Sequence, residues 1–438
     1  MSIDSQVRDL FGQLAEAPAF EQRGRVKGAI GTAIRAGGIS ARIGQTCALL
    51  DAEGNTALLA EVVGLSDGDV LLAPMGDLRG LSGETEVTVR TGEDGVPVTA
   101  DLLGRVLDAR LRPLDGGEPV RPGTRRRPLY AAAPNPMARA RIDTMLETGI
   151  RAVDGLLPVG RGQRVGVFAA AGGGKSTLLG MLARQSHADI TVIALIGERG
   201  REVREFVEDT LGPDGLSRAV VIVATSDRPA LERARAAHAA TAVAEGFRAE
   251  GRHVLLLMDS VTRYSRALRE IGLAAGEPPV RRGFPPSVFA ELPCLFERAG
   301  TDSEGAITGI YTVLLEDEED DPIGEEVRSL LDGHIYLSRK LAAKGHYPAI
   351  DVLASQSRLF TQLAAPEQQR AAGALRALLS RLGEIELLVQ LGDYKPGQDA
   401  LADRALAARE GIDAFLRQSS RQRSGFETTM ALLRGFEP

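Results

Sequence analysis

The chain has 438 residues, of which 44% are hydrophobic and 25% charged, and its formal net charge is −7. This length allows about three domains, and the composition is that of an ordinary globular protein, which excludes a disordered chain or a coiled coil. The acidic balance argues against a surface built throughout to bind nucleic acid, because phosphate binding requires clustered Lys and Arg.

No N-terminal targeting signal is predicted, because Met1–Asp4 is not basic and no apolar run follows it. Nowhere does the chain reach the roughly 18 apolar residues that a membrane span requires. Its cysteines, Cys47 and Cys294, lie far apart without metal-ligand spacing, so neither a disulfide scaffold nor a zinc site is predicted. These features predict a cytoplasmic protein whose membrane contacts are peripheral.

Residues 1–23 are predicted to form an amphipathic helix. Val7, Leu10, Phe11 and Leu14 recur at helical spacing with mostly polar residues between them. The pattern allows two interpretations: a helix that packs on its own domain, or a helix that docks a partner. Both provide the packing without which so short a helix is marginal.

Three further domains are predicted from the changing pattern along the chain. Residues 24–95 alternate β-rich segments with Gly and Asp turns, which is typical of a small β-barrel. Residues 96–362 alternate apolar runs with helical stretches, which indicates an α/β core with a parallel sheet. The apolar runs are Val165–Phe168, Ile190–Ile196, Ala219–Ala224 and Val254–Met258. Residues 363–438 are rich in Ala, Leu, Arg and Glu and are predicted to form a helical C-terminal domain.

The strongest motif follows the first apolar run. The segment Ala169–Ser176 fits a phosphate-binding loop, except that Ala169 replaces the first glycine. Its glycines let successive backbone N–H groups turn toward phosphates, and the following helix N-terminus adds partial positive charge. Lys175 is predicted to reach the β- and γ-phosphates, and the Ser176 hydroxyl to bind Mg²⁺. The predicted nucleotide contacts are Ala170, Ala171, Gly172, Gly173, Gly174, Lys175, Ser176 and Thr177.

Two carboxylates stand at the ends of other apolar runs. Asp259 follows Val254–Met258 and is predicted to bind Mg²⁺, with a helix cap as the alternative role. Glu198 follows Ile190–Ile196 and is predicted to be the catalytic base or the water-positioning group. The alternative is a solvated charge cluster that opens the next helix. That alternative fits Glu202 better, and Glu202 is predicted to contact the metal only through water.

Four segments occur in order around these residues: Gly197–Val203, Met258–Tyr264, Gly276–Pro279 and Gly345–Asp351. Together they resemble the type III secretion and flagellar export ATPases, which are relatives of the rotary ATP synthase catalytic subunit. The resemblance extends from about Gly24 to the C-terminus. It implies a RecA-like core, a homohexameric ring with ATP bound at each interface between core domains, and Mg²⁺-dependent ATP hydrolysis that energises protein export.

The resemblance also implies roles for particular residues. Glu198 matches the catalytic glutamate of the family. Arg358 matches an arginine that the neighbouring subunit supplies to stabilise the transferring phosphoryl group. Tyr347 matches an aromatic residue that packs on the adenine ring. The segment Arg281–Ser287 matches an exposed turn near the central channel, where contact with export substrates is a hypothesis.

The partners implied by the resemblance are those of an export apparatus. A stator or regulatory protein would bind the N-terminal helix, whereas a central stalk protein and chaperone–substrate complexes would engage the C-terminal helical domain. The protein would be peripheral at the inner face of the cytoplasmic membrane, through the export gate. No nucleic-acid partner is implied.

Alternative functions share the core motifs. A rotary ATP synthase catalytic subunit would need a homologous noncatalytic partner, and Gly200, Ser329–His334 and His346–Tyr347 resemble the secretion branch more closely. A hexameric RNA helicase would need exposed aromatic residues on its barrel, but residues 24–90 contain no Phe, Tyr or Trp. The choice between an injectisome and a flagellum stays open, with Val327–His334 favouring the injectisome.

Overall fold

The computed structural model describes residues 22–90, 95–121, 125–315 and 321–437. The helix predicted within residues 1–23 therefore falls almost wholly outside the described residues. The chain forms two compact units, one comprising residues up to Asp94 with Glu270–Glu277, the other comprising Gly95–Arg269 and Pro278–Pro438. Within the described part of the chain, no helix is both long enough and apolar enough to cross a membrane.

The first unit contains a closed barrel of six antiparallel strands. They are β1 (Arg23–Ile30), β2 (Ala33–Gly37), β3 (Thr46–Leu50), β4 (Thr56–Ser66), β5 (Asp69–Pro74) and β6 (Glu86–Val89). Their order is β1-β2-β5-β4-β3-β6, and β6 pairs back onto β1. Closure pairs both sides of every strand. Apolar side chains that alternate along the strands, such as Ile34, Leu49, Val62, Leu72 and Val87, are buried in the barrel core.

The second unit is built on a nine-stranded sheet. The strands of this unit are β7 (Val96–Pro97), β8 (Arg105–Asp108), β9 (Arg126–Arg127), β10 (Met145–Leu146), β11 (Val159–Gly160), β12 (Arg164–Ala169), β13 (Ile190–Ile196), β14 (Ala219–Ala224), β15 (His253–Asp259), β16 (Gly300–Thr301), β17 (Ala306–Leu314), β18 (Gly333–Leu337) and β19 (Ile350–Ser357). The sheet order is β19-β18-β12-β17-β15-β13-β14-β8, with β16 beside β17. The path from β18 to β8 is parallel, so these strands end at the same edge.

Helices connect these strands and follow them to the C-terminus. They are α1 (Arg151–Leu156), α2 (Lys175–Gln185), α3 (Gly200–Glu205), α4 (Gly212–Ser217), α5 (Ala230–Arg248), α6 (Val261–Ala274), α7 (Pro286–Phe296), α8 (Pro322–Leu330), α9 (Arg339–Ala343), α10 (Phe360–Leu363), α11 (Pro366–Leu391), α12 (Ala400–Leu416) and α13 (Phe426–Arg434). A π-helical turn, Phe206–Leu211, joins α3 to α4, and 3₁₀ turns occupy Ala100–Leu102 and Pro136–Ala138. The predicted fold class is confirmed: a β-barrel, an α/β core with a mainly parallel sheet, and a helical C-terminal domain.

One hydrophobic core contains both the sheet and the C-terminal helices. It includes Val167 of β12 and Leu255 of β15 together with Leu375 of α11, Phe415 of α12 and Met430 of α13, all nearly inaccessible to solvent. Burial of such side chains stabilises a fold by roughly 1.5–3 kcal/mol each. The C-terminal helices are therefore held to the sheet by the core that stabilises the sheet itself.

The hairpin of α11 and α12 has ends that the sequence specifies locally. Pro366 opens α11, and Gly392 follows it with a φ of +77°, a conformation that favours glycine. Asp399 caps α12, because its side chain accepts hydrogen bonds from the N–H groups of Leu401 (2.8 Å) and Ala402 (3.0 Å). Several leucines near the loop of this hairpin remain exposed, and we call them the hairpin-tip leucines: Leu387, Leu388, Leu391 and Leu401.

Candidate active site

The phosphate loop joins the end of β12 to the first turn of α2. Ala169 is the buried last residue of β12, and Gly172 and Gly174 have φ values of +79° and +86°. Only glycine adopts this region without strain. No side chain caps the N-terminus of α2 at Lys175, so its first N–H groups face the loop without an intrahelical acceptor. All the predicted phosphate contacts, Ala170 to Thr177, lie on this turn, where a helix N-terminus favours an anion.

Three predicted site residues meet beside the loop. The Nζ atom of Lys175 lies 2.5 Å from Oδ1 of Asp259 and 3.1 Å from Oε1 of Glu198. Asp259 ends β15 and Glu198 follows β13, so the parallel sheet carries both carboxylates to the edge where β12 meets the loop. The side chains of Lys175, Glu198 and Asp259 are only 12%, 10% and 6% exposed.

The charges of this cluster shift one another's pKa. Burial disfavours the ammonium of Lys175, but the carboxylates of Asp259 and Glu198 outweigh burial and hold the pKa of Lys175 above its ordinary value. Burial raises the pKa of Glu198; Lys175 opposes this effect, Asp259 adds to it, and the pKa stays raised. Lys175 therefore stays positively charged. The pKa of Glu198 lies closer than that of an exposed glutamate to the value expected of an effective general base.

Glu202 lies in the first turn of α3, close to Glu198. Its carboxylate pairs with Arg199 at 2.7 Å. Burial would raise the pKa of Glu202, but hydrogen bonds with Glu198 and Arg199 outweigh it, so this pKa is lowered. Glu202 is therefore ionised beside the candidate base, and its contact with a metal through water stays a prediction.

Two residues at this site were missed by sequence reasoning. Thr312 of β17 donates a hydrogen bond from Oγ1 to Oδ1 of Asp259 at 2.8 Å. The Nε atom of Arg263 lies 3.7 Å from Oε1 of Glu198 and is buried without a hydrogen-bond partner in the described part of the chain. Arg263 could have been found from its place four residues after Asp259, one helical turn along α6. Thr312 is placed by strand order, for which the sequence holds no local signal.

Tyr347 and Arg358 are placed very differently. The Tyr347 ring lies against the phosphate loop, because a Cβ atom added to Gly174 would be 3.0 Å from Cε1 of Tyr347. Arg358 lies in the turn after β19, at the edge of the sheet, and its Nη2 donates to the carbonyl of Arg328 at 3.2 Å. The structure thus brings Tyr347 to the loop and leaves the exposed Arg358 elsewhere on its own protomer.

The turn at Arg281–Ser287 differs from its prediction in one respect. The turn was expected to be exposed, but Phe284 is buried and lies under the guanidinium of Arg269, 5.0 Å from the ring centroid. Its ring also packs edge-on against Phe289. Phe284 therefore stabilises the turn from within, because a large aromatic ring gains more from packing than from exposure.

The donor set at the loop fits Mg²⁺. The Ser176 hydroxyl and the Asp259 carboxylate offer oxygen atoms, which are the ligands that this hard cation prefers. Mg²⁺ in phosphate sites is held by one or two such groups together with waters and phosphate oxygens. The chain therefore supplies what a phosphate-bound Mg²⁺ needs from a protein.

A phosphate loop at the end of a parallel strand, with its lysine held by two strand-end carboxylates, defines a P-loop nucleoside triphosphatase. Family models agree along the chain. Residues 26–92 match the β-barrel domain and residues 149–357 the nucleotide-binding domain of the ATP synthase alpha/beta family, while residues 364–435 match the T3SS EscN ATPase C-terminal domain. The chain belongs to the type III secretion ATPase family.

Similar proteins cover nearly the whole chain. The type 3 secretion system ATPase of Xanthomonas euvesicatoria is 53% identical over 96% of this chain and 95% of its own length. The type 3 secretion system ATPase of Sinorhizobium fredii is 54% identical over 93% of this chain and 90% of its own length. The flagellum-specific ATP synthase of Treponema pallidum is 46% identical over 96% of this chain and 94% of its own length. The resemblance seen in the sequence is thereby confirmed.

Two solved structures share the fold. The assembled ATPase EscN from the type III secretion system of enteropathogenic E. coli has a TM-score of 0.88 and 46% identity, covering 94% of this chain and 99% of its own. The complex of EscN with its central stalk EscO gives a TM-score of 0.87 with the same identity and coverage. The fold of this chain is therefore that of the secretion ATPases.

Proposed function

We propose that the chain hydrolyses ATP with Mg²⁺ as a homohexameric ring and so energises protein export through a type III secretion system. The observation that carries the proposal is the contact of Lys175 with both Glu198 and Asp259 at the phosphate loop. Two carboxylates share Lys175, and Arg263 approaches Glu198 only at 3.7 Å, so the cluster is loosely paired. The incoming phosphates and a metal can rearrange it, because Lys175 can exchange a carboxylate for a phosphate oxygen.

In this mechanism the residues of the chain bind the phosphates, neutralise the charge that develops on them and orient the attacking water. The N–H groups of the loop and of α2 bind the phosphates, and Lys175 neutralises the charge that develops on the β- and γ-phosphates. Glu198 orients the attacking water and accepts its proton, a role that suits its raised pKa. Arg263, which faces Glu198, holds that carboxylate in place.

The remaining contacts complete the site. Mg²⁺, held by Ser176 and Asp259 and by Glu202 through water, would screen the phosphate charges. Tyr347, already against the loop, packs on the adenine ring. Arg358 of the neighbouring protomer stabilises the transferring phosphoryl group, and its exposure at a sheet edge suits a residue that acts on another copy.

The partners proposed are those of an export apparatus. The assembled form of EscN supports a ring for this chain, and the complex of EscN with EscO supports a central stalk partner. The hairpin-tip leucines offer that stalk an apolar surface. We further propose that the N-terminal segment binds a stator protein. In this proposal the ring releases chaperones and unfolds cargo at the export gate, peripheral to the cytoplasmic membrane.

The alternatives receive less support. A rotary synthase subunit and an RNA helicase share the core, but the C-terminal segment matches the domain model of the EscN ATPases. The type 3 secretion system ATPases of Xanthomonas euvesicatoria and Sinorhizobium fredii are also more similar in sequence than the flagellum-specific relative from Treponema pallidum. An injectisome is therefore the proposed machine.

The proposal is tested by ATP hydrolysis of the purified chain as a function of its own concentration. With Mg²⁺ and no other protein, we expect the activity per protomer to rise with concentration, because each site needs a neighbour. Chelation of Mg²⁺ should abolish it. Activity that is absent until RNA or a second subunit is added would overturn the proposal.

The shared site is tested by mixing two inactive variants, Glu198→Gln and Arg358→Ala. If Arg358 acts on the neighbouring protomer, randomly mixed rings restore an intact site at about a quarter of the interfaces. Phosphate release should then recover in the mixture although neither variant is active alone. A mixture as inactive as its components would show that both residues serve the same protomer.

A further inference from the structure

Tyr347 is held in a short segment between α9 and β19. The backbone of this segment is tied to α9, because the N–H of His346 donates to the carbonyl of Leu341 at 3.0 Å. Tyr347 itself is 38% exposed and touches the phosphate loop at Gly174. An exposed ring on a short loop needs fixed neighbours to keep its position, and those neighbours lie on α12 and just after it.

His346 makes a side-chain contact with α12. Its ring is buried, and Nδ1 lies 3.1 Å from Oδ1 of Asp413. Among the described residues, Nε2 has no hydrogen-bond partner, so Asp413 is the polar anchor of this ring. Burial lowers the pKa of His346 more than Asp413 raises it. The imidazole is therefore neutral at physiological pH and donates its Nδ1–H to the carboxylate.

The residue after α12 makes a second contact, through the backbone. The N–H of Gln418 donates to the carbonyl of Tyr347 at 2.9 Å. The buried amide of Gln418 is fixed in turn, because it accepts from the N–H of Arg151 at 2.9 Å and donates to the carbonyl of Gly149 at 2.7 Å. The Arg151 guanidinium donates to the carbonyl of Phe415 at 2.8 Å, at the C-terminal end of α12.

We propose that His346, Asp413 and Gln418 are positioning residues that fix Tyr347 against the phosphate loop, so that the end of α12 controls the affinity for the adenine base. We call these three residues the α12 latch. The proposal rests on the proposed function, because Tyr347 contacts a base only if the chain binds ATP. Since α12 also forms one arm of the hairpin, a displacement of that helix would loosen Tyr347 without touching Lys175 or Glu198.

The test compares three variants of the full-length chain in steady-state ATP hydrolysis. Asp413→Ala removes the anchor of His346 and should raise KM for ATP by about threefold to tenfold, the range expected for one net hydrogen bond, with kcat unchanged. Asp413→Asn keeps an acceptor for the Nδ1–H and should restore KM. Arg417→Gln is the control, because it removes the other partner of Asp413, 2.8 Å away, and keeps the contact of the Asp413 carboxylate with His346.

A double variant separates positioning from general stability. In a Tyr347→Ala background there is no ring to position, so adding Asp413→Ala should produce no further rise in KM. A further rise of the same size would overturn the latch, as would a KM for Asp413→Ala equal to that of the wild type. If the wild type itself hydrolyses no ATP, the proposed function is wrong and no KM can be compared. That outcome is distinguishable from failure of the α12 latch, in which the wild type is active and Asp413→Ala has the same KM.

Discussion

The second unit contains two buried charge clusters that differ in how completely their members are paired. At the phosphate loop, Lys175 contacts two carboxylates, those of Glu198 and Asp259, while Arg263 approaches Glu198 only at 3.7 Å and makes no hydrogen bond through its Nε among the described residues. Beneath α5, one cation serves one carboxylate: Arg298 holds Glu245 through two hydrogen bonds of 2.8 Å. The first cluster is loosely paired, whereas the second is closely paired.

The second cluster is also saturated with hydrogen bonds. Arg298, only 1% exposed, donates in addition to the carbonyl of Leu129 at 2.7 Å and contacts Nδ1 of His238, whose Nε2 lies 3.0 Å from the hydroxyl of Tyr264. A saturated buried network makes the fold specific. A buried cluster whose charges are incompletely paired instead shifts a pKa, as at Glu198, which is typical of a functional site. Burial of charge alone does not separate the two roles, but the completeness of hydrogen-bond pairing does.

The largest expected effect is that of Glu198→Gln, which tests whether the cluster at the phosphate loop is catalytic and not structural. The amide cannot accept a proton from water, so kcat for ATP should fall by about 10²–10⁴-fold. Because the pKa of Glu198 is raised in the folded chain, its ionised form opposes folding at neutral pH. The melting temperature should therefore stay the same or rise. Calorimetry and a phosphate-release assay check both, with Glu205→Gln, an exposed glutamate of α3, as the control. A melting temperature that falls along with kcat would make the cluster structural.

The next effect tests the saturated cluster. Arg298→Leu leaves Glu245 buried without its partner, which should lower the free energy of unfolding by about 3–5 kcal/mol. Urea denaturation measures this loss. The matched control is the double variant Arg298→Leu with Glu245→Leu, which removes both charges and should recover much of the stability. A single variant as stable as the wild type would break the comparison, because it would mean that the network contributes nothing to the fold.

The smallest effect concerns pH. Burial, with the charges of Arg298 and Arg235, lowers the pKa of His238 to about 3. Below its ordinary pKa of about 6.5 the unfolded chain takes up a proton that the folded chain cannot. Stability should therefore fall by about 1.4 kcal/mol per pH unit as pH drops from 6.5 toward 3. Urea midpoints between pH 7.5 and 5 measure this slope, and His238→Gln should make it shallower. Parallel curves for the two proteins would contradict the assignment.

The sequence predicts best what lies at the end of a single strand. Lys175, Glu198 and Asp259 each follow an apolar run, and the parallel arrangement of those runs is enough to expect them at one edge. The barrel and the helical C-terminal domain were predictable for a similar reason, because their patterns are local. All of these elements of the fold class are confirmed.

Contacts set by strand order or by distant segments were not predictable. Thr312 reaches Asp259 only because β17 lies between β12 and β15. His346 meets Asp413 across a long stretch of sequence, and neither residue carries a motif that signals the other. The role of Arg358 depends on a second copy of the chain, so it stays a prediction.

The position of the hairpin-tip leucines has an evolutionary consequence. Leu375 and Leu378 of the same helix are buried in the core shared with the sheet, whereas the leucines at the tip contribute no burial to it. Substitutions at the tip are therefore expected to leave the enzyme folded, whereas substitutions of Leu375 or Leu378, more than two helical turns below, would remove core packing. A lineage could adopt a new stalk or new cargo by drift at this tip, with its ATPase inherited intact.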